Sequence, residues 1–486
     1  MKKVLIPVVL AVALLSGCNV LDKEPLTAIA PSNFFRTAQD AEAAITACYD
    51  GLQRKGCYAE VQNLIGNMPS DDCTSQNGDV RTLETINWNA STGQVYDAYR
   101  DPYAAINRAN AVLKYVPGIE MNPGRRNEIL GEARFVRALC YFNLVRLYGG
   151  VPLRLLPTET DAAAELNLPR ATAEEVYALL IGDLTTAESL VPTSNPARAT
   201  RGAVNALLAR VYLTRRQWAP ARQAAAKVLT SGSYSLLPSF NALFPADNKT
   251  ESIFEIQFSG SADAGTSNTL PDIILPNPPA TYSFQKFNIP TAELLSVPDQ
   301  ANDLRWSDQG VVNAGRSHAS YVDRGPGSGN DNGPFVYKWR SNGNGFNSSD
   351  NYYVLRLAEV YLAYAEAANE EAGPSQDALE HLNMVRQRAG LPGLQLTDPE
   401  AANKQSLRRE IEKQRRLELA FEGERWFDLI RYARHETADA SADHAVTALD
   451  VIAQFHNGTR DPNYLLFPIP LAELNTNTQI QQNPGY

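Results

Sequence analysis

The chain has 486 residues, 44% of them hydrophobic and 20% charged, enough for one large layered domain or several cores. A formal net charge of −10 with no basic cluster argues against nucleic-acid binding. The five histidines are widely scattered and no CxxC occurs, which argues against a zinc site or a Cys–His nucleophile.

Lys2 and Lys3 precede an apolar run from Val4 to Leu15, shorter than the ~20 residues a membrane span needs. Leu15-Ser16-Gly17-Cys18 closes the run and resembles a bacterial lipobox. Residues 1–17 therefore read as a lipoprotein signal peptide, and Cys18 as the lipidated residue. Several acyl chains on Cys18 would hold the protein stably on a membrane, and no later run is long enough to cross one. Loss of the two lysines takes the net charge from −10 to −12. Among the other cysteines, Cys140 lies in an apolar run and reads as a small core residue. Export to an oxidising compartment permits a disulfide among Cys48, Cys57 and Cys73, with Cys57–Cys73 the first pair to test.

Residues 18–486 read as a single domain, with a helical core mainly over 38–230 and 352–434. Periodicity predicts a helix from Ala38 to Leu52 with Ala41, Ala44, Ile45, Cys48 and Leu52 on one side. Residues 53–94 are rich in Asn, Asp, Ser and Gly and read as irregular. Helices follow at Tyr96–Val116, ended by Pro117-Gly118, and at Glu128–Tyr148, ended by Gly149-Gly150-Val151-Pro152. Glu174–Leu190, Arg201–Thr214 and Ala219–Leu229 come next. The last two resemble a tetratricopeptide hairpin, with Ala206, Ala209 and Ala224 permitting close helix approach. A second such pair is expected at Tyr352–Glu371 and Ser375–Ala389. Between the pairs, residues 232–350 are rich in Pro, Gly, Asn and Ser and carry only short strand-like pieces. Excursions that long on a rigid scaffold usually carry binding.

From Leu407 to Glu422 the chain has neither proline nor glycine and reads as helix. Arg415, Glu418, Glu422 and Arg425 fall in one stripe between apolar flanks, a pattern that predicts a partly buried row of charges pairing with one another. Two neighbouring glutamates, each within reach of an arginine, suit structure better than acid–base catalysis. The run Gln414-Arg415-Arg416-Leu417-Glu418-Leu419-Ala420-Phe421-Glu422-Gly423-Glu424-Arg425-Trp426-Phe427-Asp428-Leu429-Ile430-Arg431 closely resembles the signature of SusD/RagB-type proteins, departing from it at Gln414, where that family usually has glutamate. The Tyr148-Gly149-Gly150-Val151-Pro152-Leu153 ending, Pro468-Ile469-Pro470 and the final Gln482-Asn483-Pro484-Gly485-Tyr486 extend the resemblance. It implies a mainly α, tetratricopeptide-like scaffold with long loops. It also implies an outer-membrane lipoprotein, facing the exterior, that binds a nutrient, mostly a glycan, for a SusC-like TonB-dependent transporter. No cofactor, metal or catalytic residue is implied.

A sugar site wants flat aromatic side chains beside groups that pair with hydroxyls. Within the variable segments 55–95 and 232–350, Trp88, Asn89, Asp72 and Arg81 supply these in the first, and Tyr282, Trp306, Tyr321 and Trp339 in the second, with Phe284 and Arg324 nearby. Trp88 and Tyr282 lie in the most polar surroundings and are expected to spare the fold when replaced. No GxSxG elbow, Walker loop, HExxH or dinucleotide fingerprint is present. Gly325–Gly333 is glycine-rich but lacks the alternating acidic pattern of a calcium loop. The competing readings are a surface glycoside hydrolase, which needs a carboxylate pair in a cleft, and a helical-repeat scaffold without a ligand.

Overall fold

A computed structural model describes residues 34–486 apart from 76, 196, 239–241, 245–246, 261–266, 276–286, 300–301, 307, 314–315, 320–321, 324–333 and 340–344. The first helix, α1 (Ala38–Leu52), opens with a capping box. Thr37 N donates to Asp40 Oδ2 at 2.7 Å, and Asp40 N donates back to Thr37 Oγ1 at 3.2 Å. Its buried face is the one the periodicity predicts. The segment read as irregular is instead partly helical. A π-helical turn at Lys55–Ala59 leads into α2 (Val61–Asn67), and α3 (Gly78–Glu84) follows. All seven residues of α2 are buried, polar ones included, so tertiary packing overrides weak local propensity there.

The long helices come next: α4 (Gly93–Tyr115), α5 (Pro123–Tyr148), α6 (Ala173–Leu190), α7 (Arg201–Thr214) and α8 (Trp218–Leu229). Side-chain caps on Asn122, Thr172 and Thr200 fix the starts of α5, α6 and α7. α5 is buried almost all round in its second half, the mark of a helix at the centre of a stack. Each long helix packs on the next in the chain: α1 on α4, then α4 on α5, α5 on α6, α6 on α7 and α7 on α8. The stack continues across the long excursion, because α8 packs on α9 (Leu357–Ala372), which pairs with α10 (Gln376–Arg388) and with α11 (Lys404–Leu419). Two helical hairpins remote in sequence thus form one scaffold. α12 (Arg425–Ala438) and α13 (Ala448–Phe455) follow, and a short helix at Leu471–Thr476 comes last. Among the described residues no helix is long and apolar enough to cross a membrane.

Strands are short, and they fall in two-stranded antiparallel pairs. β1 (Cys73–Thr74) pairs with β3 (Ile289–Pro290), and β2 (Ser252–Ile256) with β8 (Tyr352–Arg356). β4 (Asp308–Asn313) pairs with β5 (Arg316–Ala319), and β6 (Val322–Asp323) with β7 (Phe335–Val336). The expected helix start at Tyr352 is therefore corrected. Five consecutive buried residues, several β-branched or aromatic, run extended as β8 before α9 begins at Leu357.

Signature segments that are far apart in sequence meet. Gln482 brackets Ile469, accepting from its N–H at 2.6 Å and donating to its carbonyl at 2.9 Å. Asn483 Nδ2 donates to the carbonyls of Phe467 at 2.7 Å and Tyr148 at 3.0 Å. The Pro-Ile-Pro segment, the Tyr-Gly-Gly turn and the chain's last residues are thus one packed unit. The disulfide that export would permit is not formed: Cys48, Cys57, Cys73 and Cys140 are all free thiols and all buried.

Candidate functional site

The charged stripe on α11 is buried as expected, but its members do not pair with one another. The helix ends at Leu419, and Phe421 and Gly423 turn the chain with φ of +66° and +81°, so Glu422 and Arg425 leave the helical register. Partners come from distant segments instead. Glu418 receives Arg356 at 2.6 Å, Arg305 at 3.3 Å and Arg388. Glu422 receives Lys338 at 2.5 Å and Arg356 at 2.7 Å. Arg415 is held by Asp428 at 2.7 Å and Glu359 at 3.1 Å. Gln414, at the family's glutamate position, keeps its place by accepting from Arg305 at 2.7 Å and donating to Glu410 at 2.9 Å.

Burial opposes ionisation of Glu418, but the guanidiniums of Arg388, Arg356 and Arg305 outweigh it and hold the carboxyl well below the usual range. Burial pushes the Lys338 ammonium down to about 8, partly offset by Glu422. Glu418 and Glu422 have no open face toward solvent. They are a structural hub and cannot serve as the acid and base of a hydrolase.

A second ion-pair network, built on two arginines of the same stretch, lies nearer the surface. Arg425 Nε donates to Asp71 Oδ1 at 2.8 Å, and Arg416 bonds Asp72 Oδ1 at 2.6 Å and Glu293 Oε2 at 2.5 Å. Burial works against Asp71, yet Arg425 and Arg416 together bring it down to about 2. Asp72 goes the other way. It is fully buried beside the Asp71 charge and keeps Oδ2 unpartnered, so its carboxyl rises despite Arg416.

Above Asp71 lies a groove of about 450 Å³ in which the two variable segments meet. Pairing of β1 with β3 brings them together, and Thr291 fastens the junction. Its N–H donates to Asp72 O and its Oγ1 to Asp71 O, both at 2.9 Å. Ser70, Thr74, Thr291, Glu84 and Gln454 supply polar lining, and Phe455 at the end of α13 supplies an aromatic ring that is 42% exposed. Thr74 Oγ1 donates to Glu84 Oε1 at 2.5 Å, while Glu84 Oε2 is buried without a hydrogen-bond partner. Polar side chains beside an exposed ring are the kind of surface a sugar can use.

The residues singled out from the sequence are distributed differently. Trp88, only 3% exposed, is a core residue. It packs edge-on against Phe467 at 4.5 Å and donates Nε1 to Tyr486 Oη at 2.6 Å. Trp306 and Trp339 are also interior, the latter stacked on Tyr352 at 5.6 Å, and Asp72 is an ion-pair partner beneath the groove. These four are corrected from platform to framework. Arg81 and Asn89 are exposed, with Asn89 Oδ1 accepting from Ser91 N at 2.8 Å in its own turn. Tyr282 and Tyr321, with Phe284, Arg324 and Gly325–Gly333, lie outside the described residues, as does Cys18. The sequence reading missed Phe455. It sits four residues after the buried Val451 and so carries the periodicity of a core residue, yet it projects past the end of α13.

Fold and groove together define a helical-repeat scaffold that presents a hydroxyl-lined surface site. A family model described as the SusD family matches residues 300–486, and one described as starch-binding, associating with outer membrane, matches residues 20–213. The chain is thus similar to SusD-type proteins over both its amino-terminal and its carboxy-terminal portions. It is 28% identical to SusD-like protein P2 of Formosa agariphila over the full length of both chains. It is 25% identical to the starch-binding protein SusD of Bacteroides thetaiotaomicron, covering 89% of this chain and 86% of that one. Among solved structures, a laminarin-binding SusD-like protein superposes with a TM-score of 0.75 at 26% identity, over 93% of this chain and 100% of that one.

Proposed function

We propose that this protein is a lipid-anchored outer-membrane protein facing the exterior, which captures an oligosaccharide in the groove at Phe455 and passes it to a SusC-like TonB-dependent transporter. The observation that carries the reading is the meeting of both variable segments in one cleft lined by polar side chains and an exposed ring. Relatives named for binding starch and laminarin support a glucan as the first ligand class to try. Arg81, one turn before Glu84 on α3, is exposed and near enough in sequence to join the contacts, with Asn89, Tyr282 and Tyr321 as further candidates. Weak binding by one aromatic is sufficient where anchoring beside a transporter raises the effective concentration.

Calorimetry with laminarin and starch oligosaccharides tests the capture step. Binding of either by the wild type, weakened several-fold in Phe455→Ala at unchanged melting temperature, is expected. If neither glucan binds, or if Phe455→Ala binds as well as wild type, the groove assignment fails. Delivery is tested separately, by co-purification of a transporter from detergent-solubilised outer membranes.

A further inference from the structure

Two adjoining cavities of about 590 and 330 Å³ lie where the end of α6, the start of α7, the end of α8 and the segment entering β2 come together. Thr193, Ser233 and Tyr234 line both, so the two form one continuous depression. It shares no lining residue with the groove at Phe455. The volume falls in the range of roughly 300–1,000 Å³ typical of small-ligand sites.

The floor is polar and incompletely satisfied. Asn205 on α7 is 2% exposed, and its Nδ2 donates to Glu188 Oε1 and to Arg201 O, each at 3.0 Å. Its Oδ1 has no hydrogen-bond partner. A buried acceptor left open is costly, and the group that closes it must donate. A hydroxyl brought against it from the depression would do so once the Asn205 amide turns toward the opening.

The walls are electropositive. Arg201 and Lys227 stand by Glu188, the one carboxylate among the lining residues, and Lys249 lines the adjoining cavity with Asp247 near enough to feel its charge, in a chain whose net charge is −10. Lys227 Nζ is committed to Glu188 Oε1 at 2.7 Å. Arg201 reaches only the Glu188 carbonyl, 3.3 Å from its Nε, and neither Arg201 nor Lys249 has an ion-pair partner among the described residues. Between the two cavities the Tyr234 ring lies against α7, its Oη 3.1 Å from Thr200 Oγ1. Gly202 makes this approach feasible, because a Cβ there would come within 2.3 Å of Tyr234 Oη.

We propose that this depression is a second saccharide site, specific for an anionic sugar bearing a uronate or a sulfate ester. A ring hydroxyl donates to Asn205 Oδ1, the anion is drawn to Arg201 and Lys249, and an apolar C–H face rests on Tyr234. The carbohydrate-binding reading above supplies only the ligand class; the position and the charge preference come from the depression itself.

The test is calorimetry on the full mature chain with trigalacturonate, a sulfated carrageenan tetrasaccharide and neutral laminaritriose. At least one anionic probe should bind, more weakly at high salt, and the exposed-residue double variant Arg201→Gln/Lys249→Gln should weaken it at least tenfold. Gly202→Ala, which displaces Tyr234, should weaken it too, with melting temperature as the check on folding. Uronate-only or sulfate-only binding each supports the proposal and identifies the anion. The proposal is overturned if neither anionic probe binds the wild type, if laminaritriose binds there equally well, or if the double variant leaves affinity unchanged. Phe455→Ala distinguishes the two sites. Anionic binding lost in that variant places the ligand in the groove and removes the second site, whereas loss of neutral glucan binding alone bears only on the groove.

Discussion

Replacing Glu418 by Gln removes one charge and almost no volume from the interior. The carboxylate is shared by Arg305 and Arg356, both buried, and by the half-buried Arg388, and Arg356 and Arg388 also share Glu251. The variant leaves three guanidiniums around a neutral amide, and removing one partner of a buried pair costs about 3–5 kcal/mol. Unfolding entropy of ~2.1 cal/mol/K per residue over roughly 450 residues is close to 1 kcal/mol/K, so Tm should fall by roughly 3–5 °C. Differential scanning calorimetry at neutral pH reads this directly. Glu174→Gln is the control, because Glu174 is exposed beside Arg215 and its loss should change stability by less than about 0.5 kcal/mol. The pH dependence gives a second check. The folded pKa of Glu418 is depressed, so its contribution is fully present above the ordinary value of 4.5 and fades as pH falls toward the folded value. The variant should therefore lose less stability than wild type on acidification below 4.5. A variant that melts within 1 °C of wild type, as the control should, would refute the hub.

Trp88→Ala should destabilise by about 3–5 kcal/mol, since it empties a packed site and leaves Tyr486 Oη without its donor; urea unfolding measures it. His435 is held down to about 4 by burial and by His444, so the unfolded chain binds a proton first as pH drops from 6.5, and stability should decline through that window. Melting curves of wild type and His435→Asn between pH 7 and 4 should diverge, the variant falling less. Alkylation in guanidine without reductant, followed by mass spectrometry, should modify Cys48, Cys57, Cys73 and Cys140 alike; protection of Cys57 with Cys73 would restore the disulfide. Cys18→Ala should move the protein from the membrane fraction to the soluble one, and an unchanged membrane fraction would sink the lipid anchor.

Long helices were legible because their signals are local. Arg201–Thr214 carries its own cap in Thr200, and the structure keeps its bounds. The stripe on α11 was legible as buried charge, but its partners were not. Arg305, Arg356 and Arg388 approach from elsewhere in the chain, and the positive φ at Phe421 that throws Glu422 out of the helix has no local sequence signal. Trp88 shows the same limit from the other side. Its sequence neighbours are polar, while its spatial neighbours Trp426 and Phe467 come from the far end of the chain. Both variable segments were expected to supply the site. The residue that lights its rim, Phe455, belongs to neither.

The hub has a consequence for how such a protein can change its ligand. Glu251, Arg305, Lys338 and Arg356 tie the long excursion between α8 and α9 to Glu418 and Glu422 or to the arginines around them. The ties divide the excursion into shorter stretches, each anchored at its ends. Lengthening a loop with fixed ends is inexpensive, about 0.6 kcal/mol for each doubling. Such loops can be exchanged between lineages like fittings on a common mount, acquiring new ligand preferences while the charges that hold their feet stay where they are.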